Sequence, residues 1–133
     1  MYYGASAHAY LQGTWQFMST RLLMNPGIKH ILTDDIESHF FVLMWAALHW
    51  VKHKQSDQSS INMEFIFDHQ WSGPTELPMG GAGKGQMYGN KRILCDLEFA
   101  CKPFNDLFWS LWKLFAGYFV KRLAASVNGA SGE

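Results

Sequence analysis

Three groups of residues have types and spacings that could do chemistry. The first is Gly80-Gly81-Ala82-Gly83-Lys84-Gly85, a glycine–lysine cluster of the kind that cradles phosphates. A phosphate-binding loop of that class needs G-x-x-x-x-G-K and then Ser or Thr, whose hydroxyl binds Mg²⁺. Counting back from Gly83-Lys84, the first position is Pro78, and the residue after Lys84 is Gly85, so the hydroxyl is missing. A G-x-G-x-x-G-x-V pattern fails as well, because Gly85 comes one residue early and no Val follows in place. The reading that remains is a long Gly-rich loop over about residues 72–90.

The second group is His49 and His53, one helical turn apart, a spacing that can hold a metal. No nearby Cys, Asp or Glu completes a ligand set, so the expectation is two helix-end imidazoles and no metal. His39, inside an apolar helix, reads as a histidine with one hydrogen-bond partner rather than a general base. The third group is Asp34-Asp35 with Glu37, which helix capping explains without acid–base work. There is no G-x-S-x-G elbow and no Cys-His nucleophile motif. These residues lead to the expectation of no catalytic and no cofactor-binding residues in this chain.

The elements that would carry these groups follow from periodicity. Asp34 to Lys52 repeats apolar residues at Ile36, Phe40, Leu43, Met44, Ala47, Leu48 and Val51, the spacing of a helix face. Phe41, Val42, Trp45 and Ala46 make its other sides apolar, so the spacing predicts a central helix (34–53) buried nearly all round. Thr33 or Asp34 is its expected cap, with Glu37 completing a capping box. Gln16 to Met24 reads as a short helix capped by Ser19 or Thr20 and ended by Asn25-Pro26-Gly27. Met63 to Phe67 reads as a short strand or an extended plug, and a short helix is expected around Gln86 to Arg92. Pro103 opens an amphipathic helix to about Leu123, with Phe104, Leu107, Phe108, Leu111, Trp112, Leu114, Phe115, Tyr118 and Phe119 on a wide apolar face.

The chain has 133 residues, 48% of them apolar, and no net charge, which suits one domain with a sizeable core. A neutral chain lacks the basic footprint of a nucleic-acid binder. No apolar run without polar breaks reaches the roughly 20 residues of a membrane span, and the N-terminus does not read as a signal peptide. Nucleic acid and membrane are therefore not expected partners. Cys95 and Cys101 make no disulfide framework and read as thiols of an intracellular protein, cytoplasmic or nuclear and not secreted. Six Trp residues lie within an aromatic content of 16%. Most of these rings should fill the core, while Trp71 and Trp109 are candidates to cover a partner surface.

Gly13 to Leu23 (GTWQFMSTRLL) and Asp34 to Ser38 (DDIES) together resemble the C-lobe of protein kinases, specifically the fungal-type protein kinase family of basidiomycetes. Later pieces fit in order: Phe67-Asp68, Gly80 to Lys84, and Pro103-Phe104-Asn105-Asp106-Leu107 leading the last helix. The resemblance covers about residues 10–120. It implies a mainly α fold, a kinase C-lobe remnant around the central helix, spread over residues 13–125. Residues 1–12 would be the flexible end of an activation-segment-like loop, and 126–133 a disordered tail. Gly13, Thr14 and Trp15 would lie in a substrate-facing loop. Asp35 would be the structural anchor whose carboxylate holds a catalytic loop. Arg21 stands where most kinases have a Glu, so the family's usual ion pair with a distant Arg is not expected.

A complete member uses ATP and Mg²⁺. Phosphoryl transfer then needs a catalytic-loop Asp and Asn and a DFG-type Asp. No HRD-type or DFG-type segment occurs in these 133 residues. The expectation is a C-terminal fragment without the ATP-binding lobe or catalytic loop, inactive alone and needing no cofactor. The alternative is a non-catalytic, pseudokinase-like interaction module. Such a lobe would present apolar surface to a protein or peptide partner, or to a second copy of itself.

Overall fold

The computed structural model describes residues 15–53, 61–72 and 77–131. The expected flexible segment 1–12, together with Gly13 and Thr14, lies outside them. The architecture is mainly helical, with one two-stranded sheet. A 3₁₀ turn at Trp15–Phe17 leads into α1 (Thr20–Met24) and then α2 (Leu32–Trp50). A π-helical turn at Glu64–Asp68 precedes the antiparallel pair β1 (Gln70–Ser72) and β2 (Pro78–Gly80). Then come α3 (Ala82–Gly89), a 3₁₀ turn at Lys91–Leu94, and α4 (Lys102–Ser131).

Capping explains where the first helices begin. The Ser19 hydroxyl accepts the Leu22 N–H at 3.1 Å, satisfying one of the free donors of α1. The cap of α2 departs from expectation. The helix starts at Leu32, and Asp34 acts from inside its first turn, reaching back to accept the Ile31 N–H at 2.8 Å. Neither Thr33 nor Asp34 is the cap residue, and Glu37 turns away to other partners.

The core is aromatic. Phe40 on α2 stacks on Phe115 of α4, with centroids 5.2 Å apart, and tilts against Phe108. The next residue, Phe41, meets Phe67 of the π-helical turn and Tyr88 of α3. Such pairs contribute beyond the area they bury. The His53–Phe99 bridge and an Ala100 N–H to Lys52 carbonyl bond tie the end of α2 to the start of α4.

Three expectations are corrected here. The central helix is not buried nearly all round: Phe40, Phe41, Met44 and Ala47 face inward, but Leu32, Ile36, Val42 and Trp50 are exposed. The chain segments that cover one side of a helix decide this, and they leave no mark on its periodicity. Likewise, Phe108, Trp112 and Phe115 of α4 are buried, whereas Leu107, Leu114 and Tyr118 are exposed. Residues 64–68 are a helical turn, not a strand or extended plug.

The Gly-rich stretch is not one long loop either, since β2 and α3 occupy 78–80 and 82–89. Gly81 caps α3 with φ +86°, a left-handed conformation that other residues rarely adopt. Gly83 lets α3 approach the π-helical turn; a Cβ there would lie 2.1 Å from the Phe65 carbonyl oxygen. α4 also continues to Ser131, past the expected end near Leu123 and into the stretch expected to be a disordered tail. Among the described residues no helix is long and apolar enough to cross a membrane.

Candidate functional site

The polar groups gather where α1, the first turns of α2, and α3 meet. Asp34, with its side chain 1% exposed, accepts four hydrogen bonds. The Ser19 hydroxyl donates to Oδ1 at 2.8 Å. The Arg21 guanidinium donates twice, from Nε to Oδ1 at 3.1 Å and from an Nη to Oδ2 at 2.8 Å. The Ile31 N–H completes the set. Arg21 also donates to the Lys29 carbonyl. Burial alone would push the Asp34 carboxyl upward, but the bonds from Arg21, Ile31 and Ser19 outweigh it and hold the group below its ordinary value. Arg21 is raised in turn, chiefly by its bond to Asp34. This two-point pairing matches the flat guanidinium fork.

Glu37 extends the hub by one turn. It accepts the Thr20 N–H at 3.0 Å, the Thr20 hydroxyl at 3.2 Å and the Tyr88 hydroxyl at 2.6 Å. Burial, followed by the charge of Glu37 and the bond to it, raises the Tyr88 phenol well above its ordinary range. Tyr88 therefore stays a donor, and Glu37 links α1 to α3.

Lys84 lies beneath the hub and is fully buried. Its Nζ donates to the Met18 carbonyl at 2.8 Å and sits 4.3 Å from the centroid of the Phe41 ring. Burial lowers its pKa from 10.5 to about 7, against the weaker opposing pull of Glu37 and Asp68. A phosphate-loop lysine points out of a loop; this one points inward from a helix.

The sequence-predicted residues are scattered relative to this cluster. Trp15 is buried, lies over Gly80, and donates its indole N–H to the His69 carbonyl at 3.1 Å. Asp35, one residue from the buried Asp34, has a side chain 58% exposed and shares a hydrogen bond with His30 at 2.7 Å. His49 and His53 are occupied by the Trp45 and Leu48 carbonyls. His39 likewise bonds the Asp35 carbonyl. Among the described residues no three metal-ligating side chains gather. Cys95 and Cys101 are thiols. Trp71 is exposed, while Trp109 is half-buried and donates to the Leu97 carbonyl at 3.3 Å.

Sequence reasoning missed Arg21–Asp34 and the buried Lys84. No periodicity links residues 21 and 34 across a Pro-Gly turn. For Lys84 the only signal was its flanking glycines, and glycine marks flexible chain as readily as close approach. Chemically, the hub is a clamp. Its two carboxylates, Asp34 and Glu37, are occupied by donors from α1, the start of α2 and α3.

Residues 2–47 match the family model described as fungal protein kinase. The match covers a small part of the chain, and it contains Ser19, Thr20, Arg21, Asp34 and Glu37 but not Lys84 or Tyr88. No curated protein and no solved structure matches the chain. The similarity to that family is therefore confined to a stretch that holds α1 and most of α2.

Proposed function

We propose that the chain is part of a fungal-type Ser/Thr protein kinase and that these 133 residues transfer no phosphoryl group by themselves. The observation that carries this reading is the family match over residues 2–47. It spans both segments that the Ser19–Arg21–Asp34–Glu37 network ties together. Inactivity is supported by the missing HRD-type and DFG-type segments, and by Lys84 bonding a backbone carbonyl where a phosphate-binding lysine would face solvent. In a complete domain, ATP and Mg²⁺ would be bound by other segments. Gly13 and Thr14 would border the substrate, whereas Trp15 is buried and bonded to the His69 carbonyl. Asp35 would accept backbone donors of the catalytic loop, a role that its exposed carboxylate leaves open. Such a protein works inside the cell, in the cytoplasm or nucleus.

The test is incubation of the pure chain with labelled ATP, Mg²⁺ and generic Ser/Thr substrates. No transfer above a blank is expected; measurable transfer overturns the reading.

A second reading is favoured by a specific observation, the open apolar side of α2. Leu32 and Trp50 are 72% and 75% exposed, with Ile36 and Val42 between them. In this reading the lobe is a non-catalytic module that docks a protein or a second copy through that side. Sedimentation over a range of concentrations separates the cases. A chain that stays monomeric and melts independently of concentration removes self-association.

A further inference from the structure

A cleft lies between α1, the start of α2 and the C-terminal half of α4. It has a volume of about 360 Å³, within the roughly 300–1,000 Å³ of small-ligand sites. Its apolar wall is made by Met24, Ile28, Phe119 and Leu123. Its polar side holds three charged groups, Arg21, Glu37 and Arg122. Two of them are already satisfied. Arg21 is committed to Asp34, and Glu37 accepts three hydrogen bonds. Arg122 differs. Its guanidinium carbon stands 5.4 Å from the centroid of the Tyr118 ring, and among the described residues it pairs with no carboxylate. The Tyr118 hydroxyl is in turn bonded to Thr33, which holds the ring in place at 3.1 Å.

From this arrangement we propose that the cleft binds a small amphipathic acid, with its carboxylate on Arg122 and its apolar body along Met24, Ile28, Phe119 and Leu123. An arginine stacked on a ring face still presents its N–H edge, and that edge suits a carboxylate in two-point geometry. The apolar wall supplies the area that makes burial of the ligand body favourable. Glu37 disfavours an anion placed deep against α3, so the head group belongs at the Arg122 side. The inference stands on the cleft geometry and does not depend on whether the chain is a piece of a kinase.

The probes are decanoate and 1-naphthoate, with decan-1-ol as the neutral control. Binding is followed by calorimetry and by the methyl resonances of Met24, Ile28 and Leu123. Saturable binding of one acid per chain is expected, at least about tenfold tighter than the alcohol, equivalent to about 1.4 kcal/mol. Arg122→Gln should abolish that preference, and Arg122→Lys should retain much of it. Leu123→Glu, at an exposed helix position, puts a like charge on the wall that holds the apolar body. It should abolish acid binding while the helical circular dichroism is kept. Three results would overturn the proposal: no saturation by either acid, affinity unchanged in Arg122→Gln and Leu123→Glu, or saturable binding that leaves the Met24, Ile28 and Leu123 methyl resonances unshifted.

Discussion

Two cations are buried beside the same short stretch of chain, and their surroundings treat them in opposite ways. Arg21, with its side chain 8% exposed, meets a carboxylate in two-point geometry. Lys84, fully buried, meets a carbonyl and a ring face, with Glu37 and Asp68 acting on it only at longer range. Burial penalises both charges. For Arg21, Asp34 more than repays that penalty and the pKa rises. For Lys84 nothing close does, and the pKa falls to about 7. The difference teaches that one buried charge is a fixed part of the clamp, whereas the other is a proton that the fold releases near neutral pH.

The largest effect expected from breaking this contrast is at Asp34. Asp34→Asn keeps the shape but strands Arg21 without a counter-charge, at a cost of about 3 kcal/mol. Urea unfolding at pH 7 measures it, and a loss below about 1 kcal/mol would erase the distinction between the two cations.

Next comes the pH dependence. Folded Lys84 loses its proton near pH 7, while the unfolded chain holds it to about 10.5. Between these values the unfolded state binds more protons, so stability rises with pH, by at most about 1.4 kcal/mol per unit. Above pH 10 the raised Tyr88 reverses the trend, since the unfolded chain then loses a proton that the fold keeps. Stability supplied by the lowered Asp34 is present above 3.8 and is lost as the pH falls below that value. Denaturation midpoints at pH 7, 8 and 9 that stay level would contradict the buried lysine.

Lys84→Met sharpens the same point with a smaller effect. It fills the site without a charge, so at pH 6 it should match or exceed the parent by about 1 kcal/mol and flatten the rise from pH 7 to 9. The smallest change is expected for Arg21→Lys. That substitution keeps the charge but loses the fork, at about 1 kcal/mol or less at pH 7. A loss as large as that of Asp34→Asn would show that fork geometry, not charge, holds the clamp.

Much of the fold was legible. A cap at Ser19 or Thr20, the Asn25–Gly27 stop, the long helix α2 and the helix at Pro103 all follow from local rules. The candidate site was legible only in its parts. Asp34 and Glu37 read as caps because a carboxylate in a first helical turn usually is one. Their actual partners, Ser19, Thr20, Arg21 and Tyr88, come from other elements. Gly81 and Gly83 read as loop residues because glycine marks both flexible chain and close approach, and only the Phe65 carbonyl beside Gly83 separates the two meanings here.

By itself, then, the sequence determined the short helix before Asn25, the long helices around residues 34–50 and after Pro103, and which family its first segment resembles. Those properties depend on neighbours within a few residues along the chain. Tertiary structure alone decided which side of α2 is covered, which of Asp34 and Asp35 is buried, and which lysine loses its charge. Each of these depends on how much water is removed from a group and on which donor replaces it, and both are set by residues distant in the chain.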